Sequence, residues 1–193
     1  GGSNGRRLDA RLTLPDGQPV SMSIRTQIQA SHWREGAAQA YVSLPQSDWA
    51  RWLPERLVQP WKVAELKAGG EFWFNWGNGT VQSAVARLNA PKLRGAYAAR
   101  KPETLENLAL HAWAQRSEHG FKVVLDSLAM DIDSKRWETR LQAQQFLAQD
   151  PAQERWHLQA DRLDLTPITP LMDSLAPVPE AVASVIDQLK VTG

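Results

Sequence analysis

The stretch FKVVLDSLAMDIDSKRWETRLQAQQFLAQDPAQERWHLQADRLDL, Phe121 to Leu165, decides the fold. Apolar and polar residues alternate through it. Phe121, Val123 and Leu125 fall on one side of a strand; Trp137, Thr139, Leu141 and Ala143 fall on one side of the next. Trp156, Leu158 and Ala160 repeat the pattern. A period of two marks a sheet with one apolar face and one wet face. The phase also slips, to Leu128, Met130 and Ile132 after Leu125, to Phe146 after Ala143, and to Leu163 and Leu165 after Ala160. Such a slip turns side chains to the wrong face unless an extra residue is taken up. A bulge does this and bends the strand. Bulges are therefore expected near Asp126, Gln144 and Asp161, and together they imply a curved trough.

Upstream the same pattern continues. Leu8, Ala10, Leu12 and Leu14 alternate up to the turn Pro15-Asp16-Gly17, and Val20, Met22 and Ile24 follow, with Ile28 beyond, as the return arm of a hairpin. Ala38, Ala40, Val42 and Leu44 form a third strand. Leu66, Ala68, Phe72, Phe74 and Trp76 share a face before the turn Gly77-Asn78-Gly79. Val81, Val85, Ala86 and Leu88 lead into Pro91. Leu108, Leu110, Ala112 and Ala114 precede the turn at Glu118-His119-Gly120. Strands joined by short turns predict an antiparallel meander.

Two places read as helical. Ser47 can cap a short helix carrying Trp49, Trp52, Leu53 and Leu57 on one stripe, interrupted by Pro54. Near the end, Thr169-Pro170 starts a helix lined by Ile168, Leu171, Met172 and Leu175. Pro179 starts another, with Val182, Val185, Ile186 and Leu189. The fold class is thus mainly β, a curved antiparallel meander forming an open groove, with short helices after strands and at the C-terminal end. Residues 1–7 read as a linker or cloning remnant. Residues 8–165 form the groove segment, with a helical insertion near 47–58, and 166–190 form two short helices on the groove end. The ending Lys190-Val191-Thr192-Gly193 reads as a cut from a longer protein.

Composition narrows the function. A net charge of +1 across 193 residues exerts no general pull on nucleic acid. Cysteine is absent, which removes disulfide and thiolate chemistry. No apolar run approaches the ~18 residues of a membrane span. The four histidines lack ligand spacing, so neither a metal site nor a cofactor is expected. Asp126, Asp131 and Asp133 cluster, yet aspartate beside a turn is a local hydrogen-bond partner, and no catalytic residue is assigned. Gly77-Asn78-Gly79 is no phosphate loop, since neither a lysine nor a helix follows it. Arg94, Arg100 and Lys101 could meet anionic head groups, but a solvated loop is their ordinary role. Nine tryptophans against two tyrosines and four phenylalanines are the anomaly, and tryptophan suits boundaries between wet and apolar surroundings.

GFKVVLDSLAMDIDSKRW followed by HLQADRLDLTPITPL resembles the YhdP family of AsmA-like proteins, with Asp131, Asp133, Trp137, Leu163, Asp164 and Leu165 at the matching positions. LPQSDWARWLP, Leu44 to Pro54, is similar to a tryptophan-bearing short helix of that family. The resemblance spans about Leu8 to Leu189. It implies a periplasmic segment of a Gram-negative cell-envelope protein, anchored elsewhere in the inner membrane and moving phospholipid towards the outer membrane in a hydrophobic β-groove. Its partners would then be phospholipid, neighbouring segments of the same chain, and membrane met through other parts of the protein.

Alternating strands can supply such a groove. Burying a lipid CH₂ is worth ~0.8 kcal/mol, and ten or so strands about 4.8 Å apart extend roughly 50 Å. The expected lining is Leu12, Met22, Ile24, Val42, Phe72, Phe74, Leu110, Val123, Leu125, Leu141 and Leu158, with Trp49, Trp52 and Leu53 on a helix at the groove edge. The alternatives are a β-sandwich carbohydrate-binding module with tryptophan platforms, and a structural docking segment without lipid.

Overall fold

The computed structural model describes residues 5–27, 36–54, 59–118, 120–132, 134–146, 155–161, 163–168, 171 and 174. Nine strands run in chain order: β1 (Arg6–Thr13), β2 (Pro19–Thr26), β3 (Ala38–Asp48), β4 (Trp61–Gly77), β5 (Thr80–Tyr97), β6 (Glu103–Ser117), β7 (Gly120–Ile132), β8 (Lys135–Phe146) and β9 (Arg155–Ala160). Each pairs antiparallel with the next, in one sheet of order β1 to β9. The first and last strands do not meet, so the meander is open. The two-layer arrangement of a β-sandwich is not formed by the described residues, which build a single sheet.

Turn chemistry accounts for the hairpins. At Leu14–Gln18 the Asp16 carboxylate accepts from the Gln18 N–H at 3.1 Å, and the Gly17 N–H donates to the Leu14 carbonyl at 2.8 Å. Asn78 and Gly79 both hold positive φ, +51° and +74°, with Gly77 opposite Thr80. Two left-handed residues between paired strands make the turn whose twist suits a hairpin.

Bulges cross the sheet. Asp126 and Ser127 of β7 stand opposite the single residue Arg140 between the pairs Leu125–Leu141 and Leu128–Thr139, where the phase slip placed an extra residue. No shift occurs at Gln144, which pairs with both Lys122 and His157; there the ladder is regular, and β8 simply ends at Phe146. At Asp161 the strand has also ended, so Leu163 and Leu165 lie beyond β9 rather than past a bulge. The sheet has other bulges, between Leu44 and Ser47 in β3, at Ala90-Pro91 in β5, and at Asn107-Leu108 in β6. β5 therefore runs on through Pro91, whose missing N–H is accommodated at the irregularity. The extra residues of β5 and β6 lie side by side, leaving the register between them unbroken from Ser83–Gln115 to Gly95–Glu103.

The core sits at one end of the sheet. Leu105, Met130 and Trp137 are buried together, with Leu93, Leu108, Leu128 and Ile132 around them and Ile168 and Leu171 from the C-terminal segment. The Trp137 indole donates to the Asp164 carbonyl at 2.8 Å, and the Asp164 carboxylate accepts from the Thr166 N–H at 3.0 Å. Residues 171 and 174 have helical backbone. The second C-terminal helix, 179–189, lies outside the described residues.

The helix expected near 47–58 is instead a single 3-10 turn, Trp49–Arg51. Ser47 does not cap it. Ser47 belongs to β3 and donates its hydroxyl to the Asp16 carboxylate, so the strand extends up to the turn. Residues 55–58 lie outside the described residues.

Asp131 joins three strands at the closed end. Its carboxylate accepts from the Asn107 amide at 2.6 Å and from Arg136 at 3.1 Å, and Arg136 also donates to the Asn107 carbonyl at 2.9 Å. The Asn107 hydrogen bond first, and Arg136 second, hold the Asp131 carboxyl below its ordinary value of 3.8. A folded-state pKa below the unfolded one adds stability above pH 3.8 that disappears as pH falls through the lower folded value. Asp131→Asn is expected to lower the thermal midpoint at neutral pH and to flatten the loss of stability below pH 3.8, read from melts across an acid series.

Candidate functional site

Residues directly opposite in neighbouring strands present their side chains on the same face, so the register alone traces the faces of the sheet. One row runs Leu8, Ile24, Ala40, Phe74, Ala84, Ala114, Val123, Ala143, Leu158 across all nine strands. The next runs Ala10, Met22, Val42, Phe72, Ala86, Ala112, Leu125, Leu141, Ala160. Both rows are wholly apolar. A third continues Leu44, Gly70, Leu88, Leu110, Leu128, with Leu12 and Val20 paired at its β1 end.

Every residue expected to line the groove lies on this one face. The register brings Leu12, Met22, Ile24, Val42, Phe72, Phe74, Leu110, Val123, Leu125, Leu141 and Leu158 together, and none of them is buried. Leu8 is 59% exposed, Leu12 63%, Phe74 36% and Leu158 72%. Among the described residues nothing covers the two rows. The bulge at Asp126 is what keeps Leu128 and Met130 on the same face as Leu125.

Side-chain size gives the face relief. Ala84, Ala86, Ala112 and Ala114 make a shallow floor over β5 and β6. Phe72 and Phe74 rise on β4, and Val123 and Leu125 on β7. Neighbouring strands lie about 4.8 Å apart, so roughly 14 Å separates β4 from β7 across this floor. Leu88 and Leu110 stand towards the closed end.

The groove-edge residues are placed by the 3-10 turn. Trp49 donates its indole N–H to the Ala68 carbonyl at 2.7 Å, pinning the turn to β4. Trp52 is 37% exposed and Leu53 is half-buried. The turn follows the far end of β3, at the rim opposite the one where β3 begins.

The other face is polar, with a band that sequence inspection missed. Tyr41, Trp73, Val85, Trp113 and Val124 form one row on it. Tyr41 and Trp73 lie 5.3 Å apart between ring centroids; Arg87 stands 5.4 Å from the Trp73 ring and Lys122 5.4 Å from that of Trp113. The Tyr41 hydroxyl donates to Glu71 at 2.7 Å, which raises the tyrosine pKa. Trp73 and Trp113 thus occupy the polar phase of their strands. Their signal was present as aromatics at corresponding positions of the alternate phase, but only pairing reveals that they are neighbours.

The chemistry-bearing groups remain dispersed. Among the described residues no set of three metal-binding side chains converges. His111 and Asp126 approach to 3.6 Å on the polar face, both well exposed. Asp131 serves the strand junction already described, and Asp133 lies outside the described residues. Arg94, Arg100 and Lys101 are exposed around the β5–β6 turn, with Arg100 5.6 Å from the Tyr97 ring.

No family model, no curated protein and no solved structure matches the chain. The class of the molecule is therefore defined by its own architecture, an open β-meander that is one layer thick among the described residues, with two apolar rows that no described residue covers.

Gly70 interrupts the third apolar row for a steric reason. A Cβ placed there would run into the Arg87 carbonyl of β5. Gly70→Ala is expected to force β4 and β5 apart and to destabilise the protein by roughly 1–3 kcal/mol, seen as a lower urea midpoint at unchanged slope.

Proposed function

We propose that this chain is a segment of a bridge-like lipid-transfer protein that shields phospholipid acyl chains along its apolar face. The observation that carries the proposal is the pair of unbroken apolar rows crossing nine strands with nothing described upon them. Exposed apolar patches of more than a few hundred Å² mark sites of association. Hydrophobic contact is non-directional, so a hydrocarbon chain can shift along such rows without breaking specific bonds. Nine strands about 4.8 Å apart make the rows roughly 40 Å long. The function needs no catalyst or cofactor, since shielding replaces one apolar surface by another.

The likeness to AsmA-like sequences supports the same function and adds its setting. The segment would work in the periplasm between inner and outer membrane, with membrane contact made by other parts of the protein. Its edge strands β1 and β9 would adjoin neighbouring segments of the same chain, because an open sheet leaves backbone groups available at both edges. Nucleic acid is not a partner in this proposal.

Purified protein examined by native mass spectrometry and by extraction into organic solvent is expected to carry phospholipid. Phe74→Asp and Leu125→Asp should each cut uptake of brominated phospholipid at least tenfold, read by tryptophan quenching, while far-ultraviolet circular dichroism stays that of a β-sheet. Lipid-free protein indifferent to brominated chains would refute the proposal, as would quenching by soluble glycans alone.

A further inference from the structure

Strand pairing also traces two rows on the face opposite the apolar ones. One runs Arg7, Arg25, Gln39, Asn75 and Ser83 over β1 to β5. It goes on through Gln115, Lys122, Gln144 and His157 over β6 to β9. Every member can donate a hydrogen bond, and none is an acid. The aromatic row of Tyr41, Trp73, Val85 and Trp113 runs beside it, two residues along each strand and so roughly 7 Å away. Donors and rings thus follow one line across the strands, which for the donors is roughly 40 Å long.

Charge along this track is unbalanced. Asp9 holds the Arg7 Nε at 2.8 Å, Glu71 accepts from the Tyr41 hydroxyl at 2.7 Å, and Asp126 approaches His111 to 3.6 Å. Arg25, Arg87 and Lys122 make no ion pair among the described residues. Between β1 and β4 the track is hollowed into a depression of about 430 Å³, bordered by Arg25, Gln39, Tyr41, Trp73 and Asn75 and by no acid.

This arrangement specifies an occupant. A sugar ring offers an apolar C–H face to the π face of an indole, and hydroxyls to the amides around it. Trp73 and Trp113 stand two strands apart, roughly 10 Å. They would therefore meet alternate rings of an extended β-linked chain, which turn the same side to a surface. Five amide or hydroxyl side chains in the donor row against three arginines and lysines suit a polymer with many hydroxyls and occasional charges. A nucleic acid, charged at every unit, asks for the opposite ratio. Arg87 and Lys122 each stand 5.4 Å from the centre of an indole ring, of Trp73 and Trp113 respectively. A carboxylate is a stronger partner for either cation than a ring face, so a sugar acid can draw them aside and free the ring for stacking.

We propose that the polar face binds an extended anionic glycan, a β-linked chain with carboxylates on some of its sugars. Sugars stack on Trp73 and Trp113, hydroxyls meet the donor row, and carboxylates meet Arg25, Arg87 and Lys122. The site does not rest on the lipid-shielding function, because it lies on the other side of the sheet.

The test titrates the whole chain calorimetrically at low salt with hyaluronan oligosaccharides, and with the same oligosaccharides after reduction of their carboxylates to alcohols. The original protein is expected to bind the carboxylate form about tenfold more tightly, the worth of one charge-assisted hydrogen bond. That preference should fade as salt is raised. Arg25→Gln/Lys122→Gln should bind both forms alike, at the affinity of the original for the reduced one. Trp113→Ala should weaken both forms about tenfold, and Trp113→Phe, which keeps a ring, should recover most of the loss. Binding of neither glycan, equal affinity of the original for the two, or a preference that the charge variant keeps overturns the site. So does tighter binding of single-stranded oligothymidylate than of hyaluronan, which assigns the track to nucleic acid. Uptake of brominated phospholipid, measured on the same proteins, should be unchanged by these substitutions; its absence from the original protein as well refutes the lipid function and leaves the glycan site standing.

Discussion

Register is the constraint on which this structure depends. The sheet is one layer thick among the described residues, so each strand is held by its neighbours and by little else. A one-residue error in any ladder would turn an apolar row to the wet side. The bulges carry the correction. Without the extra residue at Asp126, Leu128 and Met130 would leave the face of Leu125. An insertion at Ala90-Pro91 without its match at Asn107-Leu108 would put β5 and β6 out of step with each other.

Stability is distributed unevenly in consequence. The closed end has what an ordinary domain has: buried Leu105, Met130 and Trp137, an indole hydrogen bond to Asp164, and a carboxylate that joins β6, β7 and β8. The opposite half has paired backbone and half-exposed apolar side chains. Fully burying a large apolar side chain is worth about 1.5–3 kcal/mol, and most residues of the two long rows forgo part of that. A face of this kind is stabilised by whatever lies on it, which is the physical basis for proposing a hydrocarbon guest. The polar face solves a different problem: its tryptophans are shielded by Arg87, Lys122 and Tyr41 rather than by a second layer.

The proposed shielding function is a matter of geometry on such a scaffold. Small side chains over β5 and β6 leave room on the apolar face, and larger ones on β4 and β7 confine it.

Period-two alternation was enough to determine the meander, most of its turns, the bulge beside Leu125 and the shared face of the residues expected to line a groove, because side-chain phase within a strand is a local property. The same local patterns misled where they stood at a strand end. Phe146, Leu163 and Leu165 mimicked phase slips because a chain leaving a sheet has no phase to keep. Ser47, Trp49 and Trp52 mimicked a capped helix because cap and stripe spacing say nothing of the Asp16 carboxylate that accepts the Ser47 hydroxyl at the end of β3. Only tertiary pairing decided that Trp73 adjoins Tyr41, that Arg7 faces Arg25, and that Asn107 and Arg136 meet at Asp131. These pairs are separated by up to about thirty residues in the chain, and their contacts come from the register between strands, which the pattern within any one strand does not contain.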